Sequence, residues 1–200
     1  GWEALRNMAV YSWRIGDREG AFKYLNKAYE QNPKSEQIIF EIAYLMNKTG
    51  TDPLVTLKKI ESMAGSFLDA RDDICTEWAT AYNRAGMYED ALGILTGRIF
   101  LPCEGGETAL ARQYVEACNG IGKKAFAKKD WNTALEAFRK GQVLPVNLQA
   151  GLWHEATMVP IKYNEALCLD NMGKNDEAKK IYEYISDLYV DFFSDMHLPE

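Results

Sequence analysis

The chain has 200 residues, of which 47% are hydrophobic and 26% charged, and its net charge at pH 7 is −6. These values are typical of a globular protein with a sizeable core, and the net negative charge argues against a protein that binds the phosphate backbone of nucleic acid. No apolar run reaches the roughly 18 residues that a membrane-spanning helix needs, so we expect neither nucleic acid nor a membrane among the partners.

The first 33 residues establish the pattern of the whole chain. Apolar residues recur at helical spacing on both sides of Gly16-Asp17, a pair that ends one helix and caps the next. Ala9 and Ala21 are small where the two helices should cross at close range. The sequence therefore predicts a helical hairpin over residues 2–33.

The same three landmarks recur along the chain: a small residue, a turn residue seven positions later and a second small residue five positions after that. Lys129 replaces the usual glycine in the fourth copy, which predicts a less tight turn there. The five triads are Ala9, Gly16 and Ala21; Ala43, Gly50 and Val55; Ala79, Gly86 and Ala91; Gly122, Lys129 and Ala134; and Ala166, Gly173 and Ala178.

This pattern resembles the tetratricopeptide repeat, a helix-turn-helix unit of about 34 residues. The resemblance implies an all-α fold, an α-solenoid of about five units wound into a right-handed superhelix. It predicts a single array over residues 1–200, with longer loops at 101–109 and 142–157. Because the chain starts at a glycine and enters a helix at once, we expect a fragment of a larger protein. The predicted units are residues 2–33, 36–68, 72–102, 110–145 and 158–195.

Motifs for catalysis are incomplete. His154-Glu155 starts like a zinc-protease motif, but Met158 stands where the second histidine is required. Residues 120–124 are glycine- and lysine-rich without the spacing of a phosphate-binding loop. We therefore predict no catalytic, cofactor or metal site, and a cytoplasmic protein with reduced thiols. The thiols, which lack metal-binding spacing, are Cys75, Cys103, Cys118 and Cys168.

The resemblance also implies a binding groove, since the first helix of each unit lines the concave face of such an array. Amide and hydroxyl side chains there would contact the backbone of an extended peptide, and aromatic rings its side chains. The predicted groove residues are Arg6, Val10, Trp13, Arg14, Phe40, Tyr44, Asn47, Thr76, Thr80, Asn83, Asn119, Lys123, Phe126 and Tyr163.

The leading interpretation is a non-catalytic scaffold that binds a protein or peptide partner, or another domain of its parent chain. One alternative is an accessory module of a carbohydrate-processing protein. Residues 104–106, 113–115 and 144–145 are similar to the helical tail of large bacterial proteins that carry a mutarotase-like β-sandwich domain. The other alternative is a small-ligand binder or enzyme that uses the 142–157 insertion, with Trp153, His154 and Glu155, as a lid.

The last helix is predicted from about Asn175 to Phe193 and has a second apolar stripe of Tyr182, Tyr189 and Phe193. Either this stripe packs against the 142–157 insertion or it forms an interface. The second reading predicts self-association through the last helix.

Overall fold

The structure, a computed structural model, describes residues 1–101, 107–150 and 158–194, except for the side chains of Glu107 and of residues 189–194. All regular structure in these residues is helical. The α-helices are α1 (Trp2–Arg14), α2 (Arg18–Gln31), α3 (Glu36–Lys48), α4 (Pro53–Ala64), α5 (Asp72–Arg84), α6 (Tyr88–Thr96), α7 (Glu107–Ala127), α8 (Trp131–Lys140), α9 (Val159–Asn171) and α10 (Asn175–Ser194), with a short 3₁₀ helix at Val146–Leu148.

The chain divides into two compact units, Gly1–Arg98 and Ile99–Glu200. In the first unit, α1–α6 form three hairpins, and each new hairpin packs on the second helix of the one before it, α3 on α2 and α5 on α4. In the second unit, α7–α10 form two hairpins, with α9 packed on α8. The predicted fold class, all-α helical repeats of the tetratricopeptide type, is confirmed for the described residues.

The turn inside every hairpin has the same backbone geometry. The turn residue adopts the left-handed conformation, and the next residue donates its N–H to a carbonyl five positions earlier, as from Asp17 to Ser12 at 2.9 Å and from Met87 to Tyr82 at 2.9 Å. This arrangement satisfies carbonyls that the helix end would otherwise leave unpaired. The φ angles are 84° at Gly16, 76° at Gly50, 72° at Gly86, 60° at Lys129 and 75° at Gly173.

The prediction of a less tight turn at Lys129 is wrong. Lys129 takes the left-handed conformation without being glycine, and Asp130 donates its N–H to the Ala125 carbonyl at 3.0 Å, as in the other turns. The Asp130 carboxylate then caps α8 by accepting from the Thr133 N–H at 3.2 Å. The hydrogen bonds of the turn therefore hold the lysine in a conformation that its side chain disfavours.

The prediction that small residues lie at the helix crossings is confirmed in four of the five repeats. Ala9 and Ala21 are buried, and a Cβ atom on Gly122 would lie 2.3 Å from the Phe138 ring. Cys75, Cys118 and Cys168 are likewise buried, and none of them forms a disulfide. Any larger side chain at these crossings would push the paired helices apart.

In the second predicted repeat, residues 36–68, the prediction that Val55 is the small residue at the helix crossing is wrong. Val55 is exposed, and its neighbour Thr56 is the buried small residue. The turn after Gly50 contains one extra residue before the cap Asp52, whose carboxylate accepts from the Leu54 and Val55 N–H groups at 2.9 and 3.1 Å. This insertion moves the inward face of α4 by one position.

Replacing Lys129 by glycine should raise the free energy of unfolding by about 1 kcal/mol, because glycine adopts the left-handed conformation without the clash of a Cβ atom. Urea denaturation measures this change. The matched variant Gly173→Lys should lower the free energy of unfolding by a similar amount. A neutral or destabilising Lys129→Gly would contradict the argument.

Candidate functional site

A cavity of about 200 Å³ lies in the first compact unit, between α1 and α3 with α2 as its floor. Its walls are apolar apart from one carboxylate. Four of its residues were predicted for the groove, namely Val10, Trp13, Phe40 and Tyr44. The full lining is Ala9, Val10, Trp13, Leu25, Phe40, Glu41, Tyr44 and Leu45.

Helical spacing places these side chains together. Val10 and Trp13 are three residues apart on α1, and Phe40 and Tyr44 are four apart on α3, so each pair shares a helix face. The Phe40 and Tyr44 rings lie 5.9 Å apart between centroids, and the Lys48 ammonium lies 5.4 Å from the centroid of the Tyr44 ring. The contacts of Tyr44 with Phe40 and Lys48 therefore help to hold the aromatic rings of this wall in position.

Glu41 is the one charged residue in the lining of this cavity. Arg6 Nε donates to Glu41 Oε1 at 2.7 Å, and this ion pair joins α1 to α3. The other oxygen, Oε2, is buried and has no hydrogen-bond partner among the described residues. A buried acceptor without a partner costs about 1–3 kcal/mol.

The amide of Asn47, predicted to contact a ligand, is engaged inside the fold. Its Nδ2 donates to the Glu77 carbonyl at 2.9 Å and to Glu77 Oε2 at 2.8 Å. Arg84 donates from Nη1 to Asn47 Oδ1 at 2.9 Å and from Nη2 to the Thr51 carbonyl at 2.7 Å. Both amide hydrogens of Asn47 are thus used to tie α3 to α5.

The predicted groove residues on α5 also have partners within the helix. Thr76 is buried and donates to the Asp72 carbonyl at 2.8 Å, and Thr80 donates to the Thr76 carbonyl at 2.8 Å. Asn83 is buried as well. On α1, Arg14 is exposed and does not line the cavity. The cavity therefore brings together the apolar residues predicted on α1 and α3 and leaves the polar ones apart.

The remaining predicted groove residues lie in the second compact unit. Asn119 is buried and accepts from Asn164 Nδ2 at 2.7 Å, so it links α7 to α9. Phe126 packs edge-on against Trp131, with 4.9 Å between ring centroids. Lys123 and Tyr163 are exposed. Their role in binding stays a prediction.

Part of the predicted interface on α10 is engaged within its hairpin. The hydroxyl of Tyr182 donates to Asp170 Oδ2 at 2.9 Å, and its ring lies 5.9 Å from that of Tyr163. Burial, with help from Asp170, raises the pKa of Tyr182 to about 12. The side chains of Tyr189 and Phe193 lie outside the described residues, so self-association stays a prediction.

The predicted lid residues Trp153, His154 and Glu155 also lie outside the described residues, as do residues 102–106 of the first loop. Among the residues that the structure describes, no cluster of three His, Cys, Asp or Glu side chains could hold a metal ion. Burial raises the pKa of the Cys75 thiol to about 11, which keeps it protonated near neutral pH. In the same part of the chain, every helix is too short or too polar to cross a bilayer.

The sequence did not lead us to predict the contacts of Glu41 and Glu77 with neighbouring helices. A signal for Glu41 is present, since it is the single charged residue between Glu36 and Lys48 in an otherwise apolar helix. A charge in such a stretch indicates a buried ion pair or a binding role. Glu77 lies among ordinary polar residues of α5, and nothing in its local sequence distinguishes it.

No known protein-family profile matches the sequence. The structure is similar to the crystal structure of MamA protein, with a TM-score of 0.61 and 14% identity over 100% of this chain and 97% of that one. It also aligns with TTC0263, a thermophilic TPR protein in Thermus thermophilus, with a TM-score of 0.41 and 16% identity over 99% of this chain and 100% of that one. The likeness to MamA shows the fold alone.

Burial raises the pKa of the Glu77 carboxyl, so the folded state binds this proton more tightly than the unfolded state does. Its contribution to stability is therefore complete below the unfolded pKa of about 4.3 and is lost as pH rises through the folded pKa. Glutamine does not titrate. The free energy of unfolding of Glu77→Gln, taken relative to that of the unsubstituted protein, should therefore increase as pH rises from 4 to 7.

Urea denaturation at pH 4, 5.5 and 7 measures this difference. The exposed Glu30 supplies the control, because Glu30→Gln should show no such trend. If the difference in free energy of unfolding between Glu77→Gln and the unsubstituted protein did not change with pH, the raised pKa of Glu77 would be contradicted.

Proposed function

We propose that this chain of tetratricopeptide-type hairpins is a non-catalytic scaffold that binds an extended segment of a partner protein, or of another domain of its parent, between α1 and α3. The observation that carries the proposal is the apolar cavity between α1 and α3, whose lining includes Trp13, Phe40 and Tyr44. Such a site offers a peptide one side-chain pocket.

The size of the cavity matches a single large side chain. An apolar cavity of about 150 Å³ accommodates a benzene molecule. The cavity here, at about 200 Å³, therefore has room for a phenylalanine or leucine side chain. Full burial of such a side chain is worth about 1.5–3 kcal/mol. Trp13, Phe40 and Tyr44 would contribute most of the contact area.

The minimal probe is N-acetyl-phenylalanine amide, which combines the aromatic side chain with amide donors. Titration into ¹⁵N-labelled protein should shift the amide resonances of Val10, Trp13 and Tyr44. N-acetyl-alanine amide, which lacks the ring, should cause much smaller shifts at the same residues. Equal responses to the two probes would contradict a side-chain pocket.

Two substitutions test the geometry. Val10→Trp should fill the cavity and weaken binding by at least tenfold, whereas Tyr11→Trp, on another face of α1, should leave it unchanged. Wild-type affinity in Val10→Trp would place the ligand elsewhere.

A further inference from the structure

Three cations stand in one register at the ends of α1, α3 and α5, and we call them the basic row. Arg14, Lys48 and Arg84 each lie two positions before the turn glycine of their hairpin, and all three are exposed. Among the residues that the structure describes, none of the three takes part in an ion pair. In a chain with a net charge of −6, the basic row is a local reversal of charge.

The basic row adjoins the cavity. The Lys48 ammonium lies 5.4 Å from the centroid of the Tyr44 ring, which lines the cavity. Arg14 follows Val10, another lining residue, by one helical turn, so the two share a face of α1. Arg84 Nη1 donates to the side-chain carbonyl of the residue before Lys48 at 2.9 Å. A ligand that fills the cavity therefore has positive charge beside it.

The helix dipole alone does not account for the basic row. The dipole favours a cation near the C-terminus of any helix, and this applies to α7 and α9 as much as to α1, α3 and α5. The same register, two positions before the turn residue, nevertheless holds Ala127 in α7 and Asn171 in α9. The cations in this register thus belong to the compact unit that contains the cavity.

The carboxylates of Glu41 and Glu77 do not cancel the charge of the basic row. Glu41 is already paired with Arg6. Glu77 Oε2 accepts from the Asn47 amide at 2.8 Å, which places this carboxylate near Lys48, and it offsets at most one of the three positive charges. The remaining positive charge attracts carboxylates to this side of the cavity.

We propose that the cavity binds an extended segment of a partner protein in which acidic side chains flank one large apolar side chain. This inference rests on the groove proposed above and names the chemistry of its ligand. In an extended peptide, side chains two positions apart point the same way and are separated by about 7 Å. An aspartate or glutamate at that spacing from a side chain seated against Tyr44 therefore reaches the Lys48 ammonium, which lies 5.4 Å from the ring centroid.

Two peptides that differ in charge alone test the proposal. Acetyl-Asp-Ala-Phe-Ala-Asp-amide carries an acid two positions to either side of the aromatic anchor, and acetyl-Asn-Ala-Phe-Ala-Asn-amide is its neutral counterpart. Their blocked ends carry no terminal charge. Titration into the ¹⁵N-labelled chain at low salt should show about fivefold tighter binding of the acidic peptide, the effect of two exposed ion pairs. This preference should disappear at about 0.5 M NaCl, because salt screens exposed charges.

A charge-matched pair of variants locates the effect. Arg14→Gln combined with Lys48→Gln should bring the ratio of the two affinities close to one. The control combines Lys23→Gln with Lys27→Gln, two exposed cations of α2, and should keep the preference for the acidic peptide. Arg84 is left unchanged, because its hydrogen bonds hold α5 to the α3 hairpin.

Equal affinity of the unsubstituted chain for both peptides overturns this inference and leaves the side-chain pocket standing, whereas absence of binding by both overturns the pocket as well. A preference that survives the combined Arg14 and Lys48 substitutions also overturns it. So does self-association that depends on Lys48, because the occupant is then a second copy. Tighter binding after removal of residues 195–200 has the same consequence, because the occupant is then a segment of the chain itself.

Discussion

The close crossing of two helices within each hairpin is the constraint on which the rest of the structure depends. Ala9 on Ala21, and Gly122 under the Phe138 ring, leave no room for a larger side chain. The left-handed turn makes this approach possible, since it reverses the chain in two residues and pairs the last carbonyls of the helix. With one face of α1 used for this crossing, another face is left to line the cavity.

The fold was predictable because packing at the crossings tolerates few residue types, and their spacing is visible in the sequence. The two errors arise where backbone geometry departs from residue type. Lys129 adopts a glycine conformation because the hydrogen bonds around it require one, and no sequence pattern records that strain. The extra residue before Asp52 shifts α4 by one position, so the pattern selected Val55 instead of Thr56.

The apolar half of the candidate site was predictable as well, since the tetratricopeptide resemblance and the helix register together place Val10, Trp13, Phe40 and Tyr44 on one surface, and all four line the cavity. Its polar half was not. The hydrogen bonds of Asn47 join it to Glu77, thirty residues away, and whether an amide faces a ligand or a neighbouring helix depends on such distant partners. The same holds for Glu41, whose role depends on the Arg6 guanidinium on another helix.

The two walls of the cavity are held in place by different contacts. The α3 wall is braced from behind, because α3 packs on α5 and is tied to it through Asn47, Glu77 and Arg84. Across the cavity, α1 is held to α3 by the ion pair of Arg6 with Glu41. The α3 wall is thus held by hydrogen bonds to α5, whereas the α1 wall is held by its packing on α2 and by the ion pair of Arg6 with Glu41, a partly buried contact that salt screens only in part.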